Sequence, residues 1–302
     1  MPAGRWRTPL DTLPPLRTTP LHPRFGVEIH GIDLRHVTAE QGYPAIRQAF
    51  ETHSLLLFRG QQLDDAAHLA FGALFGPIED RSQGKDGPDP KVRPVSNREE
   101  DGALAAEDDK LTMNLRANQL WHTDSTFLPV PALANILAAR VLSSTGGETE
   151  FASTRAAGRD LPEALKAQAR GAVIRHRYAH SRRKISPELA KEEMFTKWAD
   201  QAWKAIWRNP VNGEEALYLA SHAYGVEGMA EEEGQKLIDD LIAFATREGC
   251  IYTHAWQPGD VLIWDERATL HRGRPWPYAE ERTLASICIS VRDVDGLEAM
   301  RG

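Results

Sequence analysis

Three short apolar runs near the C-terminus, "IYTHAW" (251–256), "DVLIWD" (260–265) and "RTLASICISVRD" (282–293), are divided only by Gly- and Pro-containing turns. Each is rich in β-branched and aromatic residues and too short for a typical helix, so each reads as a strand. "FGVEIHGIDL" (25–34) alternates apolar and polar residues as a first strand does, and "SLLLF" (54–58) fits a buried one. "ALANILAARVL" (132–142) is strand or helix on periodicity alone, and "SSTGGETEF" turns into a further extended segment. Many strands with a few helices between them predict a mainly β core, a barrel or jelly roll, with inserted helices.

The helices are fewer. Residues 39–52 and 160–170 have helical patterns, and Asp64 or Asp65 is placed to cap a helix that ends at Gly76 and Pro77. "MAEEEGQKLIDDLIAFATREG" (229–249) is amphipathic, with acidic residues in its first turn and a closing Gly249. Within 187–207, Trp203 and Trp207 stand at helical spacing and read as packing residues. Residues 1–20 carry five prolines and form an N-terminal arm, leaving 21–302 as one domain. The polar stretch 80–112 is long enough to be a mobile loop or an active-site lid.

Charge and composition exclude several classes. A formal charge of −7 over 302 residues gives no footprint for nucleic acid or an anionic membrane. Two cysteines make no disulfide framework, and no apolar run approaches the roughly 18 residues of a membrane span. A cytoplasmic location and assembly as a homo-oligomer are expected.

The chemistry concentrates in "NQLWHTDSTF" (118–127). In a strand, side chains two apart share a face, so His122 and Asp124 would project together. An imidazole and a carboxylate are two thirds of the 2-His-1-carboxylate triad that holds non-haem iron. A lone His-x-Asp is weak evidence. "QPGDVLIWDERATLHRGRPW" (257–276) offers the third ligand in His271, after an apolar strand and a short turn. His254, on an apolar strand, reads first as a satisfied core histidine. Two histidines and an aspartate also suit catalytic zinc, so a zinc hydrolase is the main rival, with a cupin-like binding protein behind it.

"WHTDSTF", the "GGET" turn, "WDERATLHRGRPW" and an arginine beyond the last histidine together resemble the TauD/TfdA family of Fe(II)/2-oxoglutarate dioxygenases, from about "PLHPRFGVEIHGIDL" to "ICISVRD". The resemblance implies a double-stranded β-helix (jelly roll), with His122, Asp124 and His271 as iron ligands. It also implies O2 and 2-oxoglutarate as co-substrates. The distal carboxylate of 2-oxoglutarate falls to Arg282, about eleven residues after His271, helped by Thr149. An arginine suits that task because its planar fork meets a carboxylate in two places. The intact Asp124 argues against halogenation, for which related enzymes replace the carboxylate by a small residue.

The substrate implied is a small organic anion, nearer an aryloxyalkanoate carboxylate than taurine. Sulfonate-oxidising relatives carry a second arginine four residues after the first, where this chain has Ser286. Sulfonates and alkyl sulfates nevertheless stay as alternatives, as does an unidentified metabolite. Candidate substrate contacts are Asn118, Arg182 and Arg183 in the cationic "RHRYAHSRRK", and His222. That cationic run reads equally as a solvated loop or an anion-binding lid.

Overall fold

"ALANILAARVL" resolves as a strand because it lies between two others and is buried on both faces, a position in which a continuous apolar run is the expected pattern. The computed structural model describes residues 16–80 and 91–302. Its strands are β1 (Thr18–Pro20), β2 (Val27–Ile29), β3 (Leu55–Phe58), β4 (Arg93–Ser96), β5 (Ala132–Val141), β6 (Thr149–Ser153), β7 (Val173–His176) and β8 (Gln201–Lys204). They continue with β9 (Ile206–Arg208), β10 (Glu215–Leu217), β11 (Ala223–Val226), β12 (Ile251–His254), β13 (Val261–Asp265), β14 (Thr269–Gly273) and β15 (Thr283–Ser290). A large sheet has the order β1-β2-β3-β13-β5-β15-β4, antiparallel except where β2 runs parallel to β3. A small antiparallel sheet, β12-β6-β14, carries His271.

Alternation along the large sheet decides what each face meets. Leu56, Phe58, Ile136, Ala138, Val261, Ile263, Ala285 and Ile287 turn outward, onto the helices Tyr43–His53 and Asp65–Ala73 through Ile46, Phe50 and Phe71. Leu55, Leu57, Leu137, Ala139, Leu262, Trp264 and Leu284 turn inward and cluster with Phe151 of the small sheet. The molecule is thus mainly β: these two sheets pack face to face with helices outside, and two further small sheets, β11-β7-β8 and β10-β9, complete the described strands. Among the described residues no helix is long and apolar enough to cross a membrane.

Several expectations need correction. Trp203 and Trp207, at helical spacing in the sequence, lie on the strands β8 and β9, where their indole N–H groups donate to Thr126 and Arg267 carbonyls. Their packing role stands; the helical spacing was coincidental. The helix expected at 160–170 is Glu163–Ala169, and a separate helix, Thr154–Asp160, ends ahead of it, before Pro162. The helix predicted from residue 39 starts at Tyr43, after Gly42 adopts a φ of 86°. Of the arm, residues 1–15 lie outside the described residues, while Thr18–Pro20 pairs with β2 as part of the sheet. Residues 81–90 of the expected loop also lie outside them. Its remainder includes β4 at the sheet edge and the start of the helix Lys110–Ala117.

Candidate metal centre

His122 and His271 face each other across a single antiparallel bridge, each donating its backbone N–H to the other's carbonyl at 2.9 Å. The chain then leaves the extended conformation: Ser125 has a φ of 59°, and Leu128 N–H closes a turn onto the Ser125 carbonyl. Asp124 therefore reaches the histidines through a turn. The strand predicted for this motif does not form. The consequence is the same, since Asp124 Oδ1 lies 3.6 Å from His122 Nε2 and Oδ2 lies 3.8 Å from His271 Nε2. Ligand atoms of all three residues fall within 4.8 Å of one another.

Protonation favours metal binding over an ion pair. Burial pushes His122 below the usual histidine range and takes His271, next to His122, down to about 3. Both imidazoles are therefore neutral near pH 7 and keep a lone pair. His122 Nδ1–H donates to the Leu120 carbonyl at 2.7 Å, which turns Nε2 towards Asp124. Asp124 is held by Asn135 Nδ2 at 2.8 Å, and Asn135 Oδ1 in turn accepts from Ser286 Oγ at 2.9 Å. Ser286, in the place where a second arginine was considered, thus spends its hydroxyl on orienting the carboxylate. Two buried nitrogens and one carboxylate oxygen, with space beside them, fit a divalent transition metal.

Beside these groups opens a cavity of about 760 Å³ between the two sheets. Thr149 and Arg282 line it, both buried. Thr149 sits opposite Gly273 on β14, and its hydroxyl accepts from Trp256 Nε1 at 3.0 Å. Arg282 donates to the Gly147 carbonyl at 2.6 Å and lies over the Trp276 ring. Burial lowers its guanidinium to about 10, and no carboxylate pairs with it among the described residues.

The far wall is aromatic. Phe127 stacks on Tyr178 at 3.6 Å between ring centroids, with His222 edge-on to both and bonded to Ser181 Oγ at 2.8 Å. Buried Arg182 lies over Tyr178 and bonds Asn114 Oδ1 and Ser181 Oγ. Asn118 also lines the cavity, its carbonyl fixed by Gly273 N–H. Arg183 is a correction: the helix Tyr178–Arg183 turns it out to solvent, away from the lining residues that include Arg182. Trp121 likewise packs away from the cavity, under Arg272. His254 is a satisfied core histidine, bonded to Asp260 and Tyr252.

Asn135 and Tyr178 were not singled out by the sequence. Asn135 had a signal, being the one amide inside an apolar run; Tyr178 had none beyond its basic neighbours.

Fold and donor set together define a mononuclear metal enzyme built on packed β-sheets. The family model described as "Taurine catabolism dioxygenase TauD, TfdA family" matches residues 17–288, and the chain belongs to that family. It is 32% identical over 270 residues to the alpha-ketoglutarate-dependent 2,4-dichlorophenoxyacetate dioxygenase of Cupriavidus pinatubonensis, covering 88% of this chain and 94% of that one. To the (S)-phenoxypropionate/alpha-ketoglutarate-dioxygenase of Sphingobium herbicidovorans it is 31% identical, over 90% of this chain and 93% of that one. A crystal structure of AAD-2 in complex with Mn(II) and N-oxalylglycine superposes with a TM-score of 0.82 at 30% identity, covering 91% of this chain and 96% of that one. Family membership decides against the zinc-hydrolase and binding-protein alternatives.

Proposed function

We propose that this enzyme hydroxylates a small organic anion, an aryloxyalkanoate-like carboxylate, on a double-stranded β-helix formed by the two packed sheets. It is a 2-oxoglutarate-dependent dioxygenase that uses Fe(II) and O2. His122, Asp124 and His271 would hold the iron, which when bound supplies the oxidising chemistry. The carrying observation is that this triad and the buried Arg282 open into one cavity. A buried guanidinium that donates to a carbonyl and makes no direct ion pair among the described residues favours a carboxylate ligand, and Thr149 lines the same cavity.

The protein's own part is binding, orientation and exclusion of water. The stacked Phe127 and Tyr178 offer a flat apolar surface for an aryl group. Arg182, with Asn118 and His222, is placed to receive the substrate's carboxylate. A C–H next to an ether oxygen would then face the metal. Hydroxylation there gives a hemiacetal, which collapses to a phenol and a carbonyl compound. With Ser286 committed to Asn135, β15 offers a sulfonate no cation at that position, which favours the carboxylate over the sulfonate or alkyl sulfate alternative.

Succinate formation from 2-oxoglutarate, scored with phenoxyacetate, phenoxypropionates, taurine and an alkyl sulfate, tests the reading. Faster turnover of taurine or the sulfate would overturn the carboxylate assignment.

A further inference from the structure

Among the buried polar atoms next to the metal centre, His271 Nδ1, Glu266 Oε1 and the Nε1 of Trp264, whose ring packs on His271, lack hydrogen-bond partners. With His271 Nε2 beside Asp124 and giving its lone pair to a metal there, a neutral ring would carry its proton on Nδ1, which makes that atom a donor in need of an acceptor. A fully buried donor left unpaired is costly, and metal-ligating histidines ordinarily give this proton to a carboxylate or carbonyl. The Glu266 carboxyl, which burial and the adjacent Asp124 push well above the usual carboxylate range, presents its acceptor oxygen Oε2 at 3.8 Å. That same oxygen accepts the Asp124 backbone N–H at 2.9 Å.

We propose that Glu266 is a positioning residue serving two of the three ligands at once: it anchors the backbone of Asp124 and accepts the Nδ1 proton of His271. Rotation about the broad terminal torsion of glutamate, or a tilt of the imidazole, closes the remaining distance of about 1 Å. The turn that carries Glu266 is rigid enough for the task. Glu266 N–H donates to the Leu133 carbonyl, and its neighbours Asp265 and Arg267 are buried and paired at 2.8 Å. One carboxyl thereby couples the "WHTD" turn to the β14 histidine, and fixes the angle at which both ligands meet a metal.

The inference rests on the metal assignment above and not on the substrate. Its test is Mn(II) titration of the metal-free full chain by calorimetry, with thermal melting of each metal-free variant alongside. Glu266→Met, which keeps the length and removes both acceptors, should weaken Mn(II) binding about tenfold or more. Glu266→Gln, which keeps one acceptor oxygen, should fall between Met and the parent, with the metal-free Tm near the parent's. Dissociation constants in both variants within twofold of the parent's would overturn the proposal, as would a lowered Tm with unchanged affinity. If Met fails to fold, Gln decides alone. A parent chain that binds no Mn(II) would instead overturn the metal assignment itself.

Discussion

Arg282 shows how one residue's surroundings select its ligand. Burial lowers its guanidinium to about 10, still charged near pH 7, and it donates to the Gly147 carbonyl. A carboxylate arriving there completes a charge-assisted pair worth about 1.5–3 kcal/mol. Arg282→Ala is therefore expected to raise the KM for 2-oxoglutarate by roughly ten- to a hundredfold. Steady-state kinetics at saturating substrate checks this, and an unchanged KM would move the contact elsewhere. Asp124→Ala should end iron-dependent succinate formation while leaving the melting temperature within a few degrees. Appreciable turnover in that variant would remove Asp124 from the ligand set.

Among the elements, the Gly146–Gly147 turn between β5 and β6 has little freedom. Both glycines have positive φ, 71° and 72°, and a Cβ on Gly147 would fall 2.6 Å from Arg282 Nε. The backbone penalty alone is about 1 kcal/mol, and the side-chain clash adds to it. Gly147→Ala should therefore displace Arg282, raising the KM for 2-oxoglutarate together with a modest loss of stability. A variant that lost stability with an unchanged KM would show that the turn serves the fold alone. Asp124 sits on an equally constrained element. The left-handed Ser125 lets the chain turn directly after His122, so ligand spacing comes from turn geometry, not strand alternation.

For the whole molecule, a buried ion network joins distant parts of the chain. Arg267 binds Glu51 and Asp265 at 2.8 Å, and Arg47 bridges Glu51 to Asp295 at 2.6 Å. Helix Tyr43–His53, the β13–β14 turn and the residues near Asp295 are thereby tied together behind the metal centre. Removing one member strands a buried charge, so Glu51→Ala should cost about 3–5 kcal/mol in a urea titration. Burial pushes the Glu51 carboxyl up, but Arg267 and Arg47 outweigh it and hold it at about 2, below an ordinary 4.5. A depressed folded-state pKa contributes stability above pH 4.5 that is lost as pH falls towards about 2. Glu51→Gln should flatten the stability profile in that window. An unaltered slope there would assign the acid sensitivity to other carboxylates.

The sequence by itself determined the mainly β class and put forward His122, Asp124 and His271 as candidate metal ligands, while the family resemblance added Thr149 and Arg282 as co-substrate candidates. Each separate signal is local: periodicity, turn residues and the spacing inside a motif act within a few residues. Tertiary structure alone decided the rest. "ALANILAARVL" is a strand because β13 and β15 flank it. Trp203 and Trp207, four residues apart, sit on successive strands since each indole finds a carbonyl distant in sequence. Arg182 and Arg183 are neighbours of equal charge, yet one turn of helix buries the first at the cavity and exposes the second. Ser286, Asn135 and Asp124 form a chain of hydrogen bonds across 162 positions of sequence. Such contacts depend on which strands the fold makes adjacent, and no local pattern carries that information.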